Sequence, residues 1–325
     1  MRIGRPLLKL PIRFCGETLA REVSALPPEA WMQHPQKFDG NSAVPLVSPA
    51  GALVNRTYGP MAPTQWLQDC SYFREIMQAL ASTWGRSRLM ALEPGAVVPP
   101  HVDTHYYWRT HLRVHIPAIT NPDVVFTCNG ETIHMVAGEC WILDSFYTHS
   151  VANLGSDTRV HLVLDTVGSG NLWDLIAAAN EGVTDARLVK PGETIPAPLD
   201  FEQVNAPLVM SPWEMKAHLA YLADWTDPQP GLDETLAIID RFVMAWSGTW
   251  ARHAFSDPGL PIYLSQLDEV RGAIAKLSEP NITMRNGQPL LASVEQFIFK
   301  HAIAPAIVQK LQQASGEGVR PQLTA

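Results

Sequence analysis

Two hydrophobic patterns divide the chain near residue 170. Before this point, short β-branched and aromatic runs alternate with turn residues, as in VVFTC and ETIHMV on either side of Asn129-Gly130. Asn-Gly between two such runs predicts a type I′ hairpin, because both central residues of that turn need a positive φ. The runs CWILD and RVHLVLD follow further turn residues. Several short strands with frequent turns predict a β-sandwich or barrel.

Helical periodicity dominates the C-terminal part of the chain. Ser211-Pro212-Trp213-Glu214 combines a capping box with proline at the first helical position, so a helix is expected to begin there. The segments DETLAIIDRFVMAW, LSQLDEVRGAIAKL and SVEQFIFKHAIAPAIVQKLQQ continue at the same period. A helix over 71–84 and a short one in LWDLIAAAN are predicted before and after the main strands.

These patterns predict an α+β protein with a β-rich core and an α-helical C-terminal domain. We expect a first domain over residues 1–170 and a proline-rich connector over residues 171–210. The helical domain is then expected over residues 211–325.

Composition narrows the classes of partner. The net charge of −8 disfavours binding to nucleic acid or anionic lipid, which needs clustered Lys and Arg. No run approaches the roughly 20 apolar residues that span a bilayer. Lys9, Arg13 and two prolines interrupt the N-terminal segment too often for a secretory signal. Four cysteines without metal-type spacing fit a reduced, cytoplasmic protein.

The first candidate for chemistry is His101-Val102-Asp103. Residues two apart in a strand face the same side, so both side chains can point at one ion. With a second imidazole, for which His149 in FYTHSVAN is a candidate, they would form the ligand set of non-haem iron(II) oxygenases. Eleven histidines make chance pairs common, so two surface residues would also explain this spacing.

Two arginines strengthen the interpretation of His101 and Asp103 as part of a ligand site. Arg159 opens RVHLVLD, and Arg113 precedes His115 in HLRVHIP. Burying an arginine in an apolar strand costs free energy unless an anion pairs with it, and guanidinium grips carboxylates in bidentate fashion. Two strands that each offer Arg-x-His therefore predict an interior site for a small dianion. The alternative is an ion pair with an internal carboxylate such as Asp165.

The stretch from Pro94 to Asp165 resembles the aspartyl/asparaginyl β-hydroxylase family of iron(II)- and 2-oxoglutarate-dependent dioxygenases. The resembling motifs are PGAVVPPHVD, LRVHIPAITN, GECWILD, THSVAN and RVHLVLD. The resemblance implies a double-stranded β-helix core, the jelly-roll of cupin-like proteins. It also implies iron(II) as the metal, with 2-oxoglutarate and O₂ as co-substrates.

Individual positions carry over from this resemblance. His101, Asp103 and His149 match the metal ligands. Arg159 matches the arginine that binds the distal carboxylate of 2-oxoglutarate. The pair beside the metal-side carboxylate corresponds to Arg113 and His115.

Asp103 also bears on the substrate. Vertebrate members that act on protein domains have glycine at this position, so the chain is more similar to bacterial members that hydroxylate free amino acids, including the proline cis-hydroxylases. A small carboxylate-bearing substrate, a free or N-modified amino acid, is therefore expected. His105 and Arg109 follow the metal motif beside three aromatic residues and are candidates for contacting it. An ordinary aromatic-rich rim would explain this segment equally well.

Other functions stay open on the sequence alone. A peptidyl Asp/Asn-type hydroxylase would use the same site on a protein substrate. A non-oxidative cupin-type metal protein would keep the three ligands but would not need two inward arginines. An interaction module would not need the ligands at all. The helical domain is a candidate lid or homodimer interface.

Overall fold

The computed structural model describes residues 3–33 and 38–304. The chain divides into two compact units, one of Met1–Asp103 with Thr110–Asn205 and one of Thr104–Arg109 with Ala206–Ala325. The first unit is rich in strands and the second is helical.

The elements are short in the first unit and longer in the second. The strands are β1 (Leu7–Phe14), β2 (Met32–Gln33), β3 (Asn41–Pro49), β4 (Met61–Pro63), β5 (Thr83–Leu92), β6 (Val97–His101), β7 (Leu112–Ile119), β8 (Val124–Cys128), β9 (Glu131–Ile133), β10 (Glu139–Leu143), β11 (His149–Asn153), β12 (Arg159–Gly168), β13 (Arg187–Val189) and β14 (Asp200–Phe201). The helices are α1 (Gly16–Ala25), α2 (Gln65–Asp69), α3 (Ser71–Leu80), α4 (Tyr106–Thr110), α5 (Gly170–Asn180), α6 (Pro212–Asp224), α7 (Leu232–His253), α8 (Leu260–Ile274) and α9 (Leu290–Val294).

Two sheets form the β-rich unit. The large one runs β13-β1-β10-β7-β12-β5-β3-β2 in the described residues, with β14 beside β5 and β4 beside β3. The small one runs β6-β11-β8-β9. Along the chain, β5, β7, β10 and β12 enter the large sheet, whereas β6, β8, β9 and β11 enter the small one. This alternation is the double-stranded β-helix, so the predicted jelly-roll core is confirmed.

Side chains from both sheets share one hydrophobic core. Leu92 and Leu143 of the large sheet pack with Val124, Phe126 and Val151 of the small sheet. All five are at most 9% exposed. The two sheets therefore face each other across this cluster, and side chains that point inward along β5, β7 and β12 enter the same interior.

The hairpin predicted at Asn129-Gly130 is confirmed. Asn129 has φ 50° and Gly130 has φ 81°, and β8 pairs with β9 on either side. Asparagine tolerates the left-handed region and glycine adopts it without a steric penalty, so the turn follows from these two residue types.

The helix predicted over 71–84 is too long. Helix α3 ends at Leu80, Ala81 takes φ 47°, and β5 begins at Thr83. Trp84 is fully buried in that strand and lies opposite Thr166 of β12. A short apolar run is compatible with both helix and strand. Here pairing within the large sheet decides the conformation.

The helical unit begins as the sequence predicts. The Ser211 hydroxyl accepts a hydrogen bond of 3.1 Å from the backbone N–H of Glu214, and α6 starts at Pro212. The last predicted helix is shorter than expected, because α9 passes into a π-helical turn that ends at Phe299. Its predicted continuation from residue 305 onward lies outside the described residues. Within the described residues, no helix is both long and apolar enough to cross a membrane.

Gly138 offers a test of how tightly the β-rich unit packs. A Cβ there would lie 2.1 Å from the backbone oxygen of Phe14, and its φ is +81°. Gly130 has the same φ but no atom within 4 Å of its Cβ position. Gly130→Ala should therefore lower the free energy of unfolding by about 1–2 kcal/mol, the cost of a left-handed alanine. Gly138→Ala should lower it by about 3 kcal/mol or more, because the clash adds to this strain. Equal losses in urea denaturation would contradict the packing described here.

Candidate active site

His101 and His149 lie side by side in the small sheet. Strands β6 and β11 run antiparallel and place His101 directly opposite His149. The ring centroids are 4.2 Å apart, with an angle of 50° between the ring planes. His149 is 5% exposed, and its ring is stacked with Phe126 of β8 at a centroid distance of 6.5 Å.

Each of these imidazoles is oriented by its own backbone. Nδ1 of His101 donates to the carbonyl of Pro99, and Nδ1 of His149 donates to the carbonyl of Tyr147, both at 2.9 Å. A carbonyl can only accept, so Nδ1 carries the proton and Nε2 keeps its lone pair. Burial lowers the pKa of His149 to about 4, although Asp103 acts in the opposite direction. Its Nε2 is therefore available to a metal ion at neutral pH.

Asp103 reaches the histidines from a loop. Strand β6 ends at His101, so the expectation that both side chains project from one strand is wrong for Asp103. Its backbone N–H donates to the carbonyl of Ser145 at 3.0 Å, which holds the loop in place. Burial alone would raise the pKa of Asp103, but the Arg113 guanidinium and the two histidines outweigh it and lower the pKa.

The three side chains converge as metal ligands do. The ligand atoms of His101, Asp103 and His149 lie within 4.8 Å of one another. No other group of three His, Cys, Asp or Glu side chains among the described residues comes this close together. Two imidazole nitrogens and one carboxylate oxygen suit iron(II) and leave coordination positions open, so the donor set fits the metal that the sequence predicts.

Arg113 pairs with two carboxylates. Its Nη1 lies 3.1 Å from Oδ2 of Asp103, and its Nε lies 3.2 Å from Oδ1 of Asp165. The internal ion pair that the sequence left as an alternative is therefore present for this arginine. Arg113 fixes the carboxylate of Asp103, and its predicted contact with the metal-side carboxylate of 2-oxoglutarate stays a prediction.

Arg159 differs from Arg113. It is 5% exposed at the start of β12, and no carboxylate of the described residues pairs with it. Its Nη2 donates to Nδ1 of His161 at 2.7 Å, and its buried Nε has no hydrogen-bond partner. Burial lowers the pKa of Arg159 to about 9. A buried guanidinium without a counter-ion costs free energy, so this site fits an anionic ligand.

Two neutral histidines adjoin Arg159. The ring centroids of His115 and His161 are 5.9 Å apart, and His115 lies 6.0 Å from Phe126 of the small sheet. Burial lowers the pKa of both histidines well below the usual value, with Arg159 adding to the effect. Both ring nitrogens of His115 and Nε2 of His161 are buried without a partner. These atoms would pair with a polar ligand held between the sheets.

The sequence reading missed two buried arginines, Arg86 and Arg88. They are 6% and 4% exposed in β5, with Arg86 3.6 Å from Asp165 and Arg88 donating to Asn55 Oδ1. Arginines two apart in an apolar strand are the same signal that drew attention to Arg113. The helix predicted over 71–84 ends just before these arginines, and the strand that carries them is not predicted from the sequence.

His105 and Arg109 belong to the helical unit. The His105 ring lies 5.0 Å from the ring of His301, and the Arg109 guanidinium lies 4.0 Å above the ring of Tyr221. In the same unit, the Tyr106 hydroxyl donates to Glu214. The predicted contacts of His105 and Arg109 with substrate stay predictions.

Comparison with known proteins finds a family model that matches the central region of the chain. Residues 56–168, about a third of the chain, match the sequence model described as aspartyl/asparaginyl beta-hydroxylase. The chain is also 24% identical over 207 residues to the L-proline cis-4-hydroxylase of Rhizobium meliloti strain 1021, covering 57% of this chain and 74% of that protein. The resemblance drawn from the motifs is thereby confirmed.

The solved structures that the chain matches include two oxygenases. A 2OG-Fe(II) oxygenase family oxidoreductase from Burkholderia pseudomallei is 15% identical, with a TM-score of 0.35, and the match covers 51% of this chain and 87% of that one. A prolyl-4-hydroxylase from Pseudomonas putida is 10% identical, with a TM-score of 0.35, and the match covers 51% and 95% of the two chains.

Proposed function

Because residues 56–168 match the aspartyl/asparaginyl β-hydroxylase family, we propose that this chain is an iron(II)- and 2-oxoglutarate-dependent dioxygenase. Its reaction is the hydroxylation of an unactivated C–H bond in a small carboxylate-bearing substrate, a free or N-modified amino acid. The relative named for L-proline supports this substrate class.

One observation carries the proposal. The trio of His101, Asp103 and His149 shares the interior of the β-rich unit with Arg159, whose buried guanidinium has no carboxylate partner in the described residues. A non-oxidative cupin-type protein would need the trio alone. A buried cation without a partner is explained by an anionic co-substrate, because such a charge is otherwise unfavourable.

Each residue of the site would have its own role in binding the metal or the co-substrate. His101 and His149 would present Nε2 to iron(II), and Asp103, oriented by Arg113, would present its carboxylate. Arg159 would bind the distal carboxylate of 2-oxoglutarate. When bound, iron and 2-oxoglutarate would supply the oxidising chemistry, in which O₂ is consumed and 2-oxoglutarate yields succinate and CO₂.

The test is succinate release from 2-oxoglutarate with iron(II) and a panel of substrates. Free amino acids, with L-proline among them, and N-acyl amino acids should stimulate succinate formation and gain one oxygen atom by mass spectrometry. Stimulation by a folded protein or peptide alone would instead favour a peptidyl Asp/Asn-type hydroxylase. If 2-oxoglutarate were not consumed under any condition, the chain would be a non-oxidative metal protein or an interaction module.

We further expect Arg109 to act on substrate, because it follows Asp103 closely in the chain and carries a positive charge. Arg109→Ala should lower kcat/KM for the amino acid about tenfold while leaving the affinity for 2-oxoglutarate unchanged. Its guanidinium also stacks on Tyr221, a contact worth about 0.5–2 kcal/mol, so the thermal stability of the variant must be measured in parallel. Arg109→Lys keeps a cation and should recover part of the activity. Equal losses for substrate and 2-oxoglutarate would contradict a role in substrate binding.

Location, partners and oligomeric state are proposed from the sequence. We propose a cytoplasmic enzyme with a small-molecule substrate and without a nucleic-acid or membrane partner, consistent with the net charge of −8. We also propose a homodimer, which size-exclusion chromatography with light scattering would test.

A further inference from the structure

Helix α6 carries a carboxylate and an imidazole that the reaction proposed above does not use. Glu214 and His218 lie one turn apart on this helix, and Nε2 of His218 is 3.6 Å from Oε1 of Glu214. The Tyr106 hydroxyl donates to the same Oε1. Tyr106 also belongs to the helical unit, and it follows Asp103 by three residues in the chain. Tyr106, Glu214 and His218 together form the α6 cluster.

The α6 cluster holds a negative charge without a cationic partner. Burial alone would raise the pKa of Glu214, but the His218 and Tyr106 side chains outweigh it and lower the pKa. Glu214 is therefore a carboxylate at neutral pH. No lysine or arginine in the described part of the chain forms an ion pair with it. Its side chain is 28% exposed, so a ligand can approach it from solvent.

His218 adds a hydrogen-bond acceptor to this cluster. It is 4% exposed, and neither ring nitrogen has a hydrogen-bond partner among the described residues. Burial lowers the pKa of His218, an effect that Glu214 opposes and Arg109 supports, so the ring is neutral. Because Nε2 faces a carboxylate oxygen, which can only accept, the proton is favoured on Nε2 and the lone pair on Nδ1. A buried acceptor without a donor costs free energy, so Nδ1 fits a ligand that donates.

A positive charge lies in the same unit as this cluster. The Arg109 guanidinium is 4.0 Å above the Tyr221 ring, and its charge helps to lower the pKa of His218. An anion and a cation therefore both act on this imidazole. A free amino acid at neutral pH carries an ammonium and a carboxylate on one carbon atom, so its two charges are complementary to those of Glu214 and Arg109. An N-acyl amino acid keeps only the carboxylate.

We propose that Glu214 and His218 bind the ammonium group of a free amino acid, with Glu214 as its counter-ion and Nδ1 of His218 as a second acceptor. Arg109 then pairs with the carboxylate of the same amino acid. An ammonium offers two or more N–H donors, so it can reach both groups of the α6 cluster at once. This inference rests on the proposed function, and it narrows the substrate from free or N-modified amino acids to those with an unmodified amine.

The experiment measures binding at equilibrium on the full chain, so that its result does not depend on turnover. Calorimetry in the presence of Mn(II) and 2-oxoglutarate gives dissociation constants for the protein amino acids, L-proline included, and for their N-acetyl derivatives. At least one free amino acid should bind, and about tenfold to a hundredfold more tightly than its N-acetyl derivative. This range is expected for the loss of a hydrogen bond between charged groups.

Glu214→Gln is the decisive variant. The amide keeps an acceptor for the Tyr106 hydroxyl but removes the charge. It should weaken binding of the free amino acid about tenfold to a hundredfold and leave binding of the N-acetyl derivative nearly unchanged. His218→Phe keeps a ring of similar size without the acceptor, and it should likewise weaken binding of the free amino acid more than that of the N-acetyl derivative.

Two control variants separate charge from local structure. Tyr106→Phe removes the hydrogen bond to Glu214 but keeps the carboxylate, so it should weaken binding less than Glu214→Gln does. Glu234→Gln removes the same charge from an exposed position of α7 in the same unit, and it should behave like the unmodified protein. Thermal unfolding of each variant verifies that it is folded.

The outcomes distinguish this inference from the proposed function. Equal affinities for free and N-acetyl amino acids, no binding of any free amino acid, or an unchanged preference in Glu214→Gln would each refute the ammonium site. A loss in Tyr106→Phe as large as that in Glu214→Gln would also refute it, since local structure would then explain both. If free amino acids bind through Glu214 but 2-oxoglutarate is never consumed with iron(II), the ammonium site stands and the proposed function fails.

Discussion

His149→Ala is expected to reduce iron(II)-dependent turnover of 2-oxoglutarate at least about 100-fold, because it removes a direct metal ligand, and changes in residues that merely support ligands already cost 10–100-fold. The protein should remain folded. The substitution removes one hydrogen bond, from Nδ1 of His149 to the carbonyl of Tyr147, which is worth about 0.5–1.5 kcal/mol. Succinate formation and the amount of iron bound per chain would both be measured, and both should fall.

His134→Ala serves as the matched control for this variant. His134 belongs to the same β-rich unit but lies outside the trio of metal ligands. It should keep its bound iron and its turnover. If His149→Ala retained full turnover with iron(II), the assignment of His149 as a ligand would be wrong, whatever the behaviour of His101 and Asp103.

The fold was predictable where residue type alone decides conformation. Asn129-Gly130 supplies the positive φ values that a type I′ turn requires, and Ser211 with Pro212 starts a helix through local hydrogen bonding. Trp84 shows the limit of this approach. Its neighbours are compatible with helix and strand, and only pairing with β12, more than seventy residues away in the chain, selects the strand.

The candidate site could be predicted in part, for similar reasons, and its prediction was incomplete where distant strands decide the contacts. An arginine in an apolar strand is a local signal, so Arg113 and Arg159 could be singled out from the sequence. What each one pairs with depends on how the strands are arranged, and the two differ. Asp165 lies opposite Arg113 in the register of β12 and β7, whereas no carboxylate of the described residues pairs with Arg159.

The position of Asp103 in a loop could not be predicted from the spacing of residues in the sequence. The His-x-Asp pattern suggested one strand with both side chains on one face, but the strand ends at His101. A backbone hydrogen bond to Ser145, forty-two residues later, brings the carboxylate to the histidines instead. Such a contact joins residues distant in sequence, and no local pattern reports it.

Arg159→Met is expected to weaken the binding of 2-oxoglutarate without lowering the stability of the ligand-free protein. Without its charged partner, the distal carboxylate of 2-oxoglutarate should lose about 2–5 kcal/mol of binding free energy, which corresponds to a weakening of roughly 30-fold or more. Without ligand, the same variant should unfold at an equal or higher urea concentration than the unmodified protein. The buried guanidinium of Arg159 has no carboxylate partner in the described residues, and an apolar side chain of similar length removes that desolvation penalty.

Three variants make this result specific to the guanidinium group. Arg159→Lys keeps the charge but loses the bidentate geometry, so it should recover only part of the affinity for 2-oxoglutarate. Arg13→Ala, at an exposed position of β1, should alter neither quantity. Arg113→Met should lower stability, since it leaves Asp103 and Asp165 without this cation. Unchanged 2-oxoglutarate affinity in Arg159→Met would remove the main support for the dioxygenase assignment. A stability loss as large as that of Arg113→Met would show instead that the charge of Arg159 is compensated within the protein.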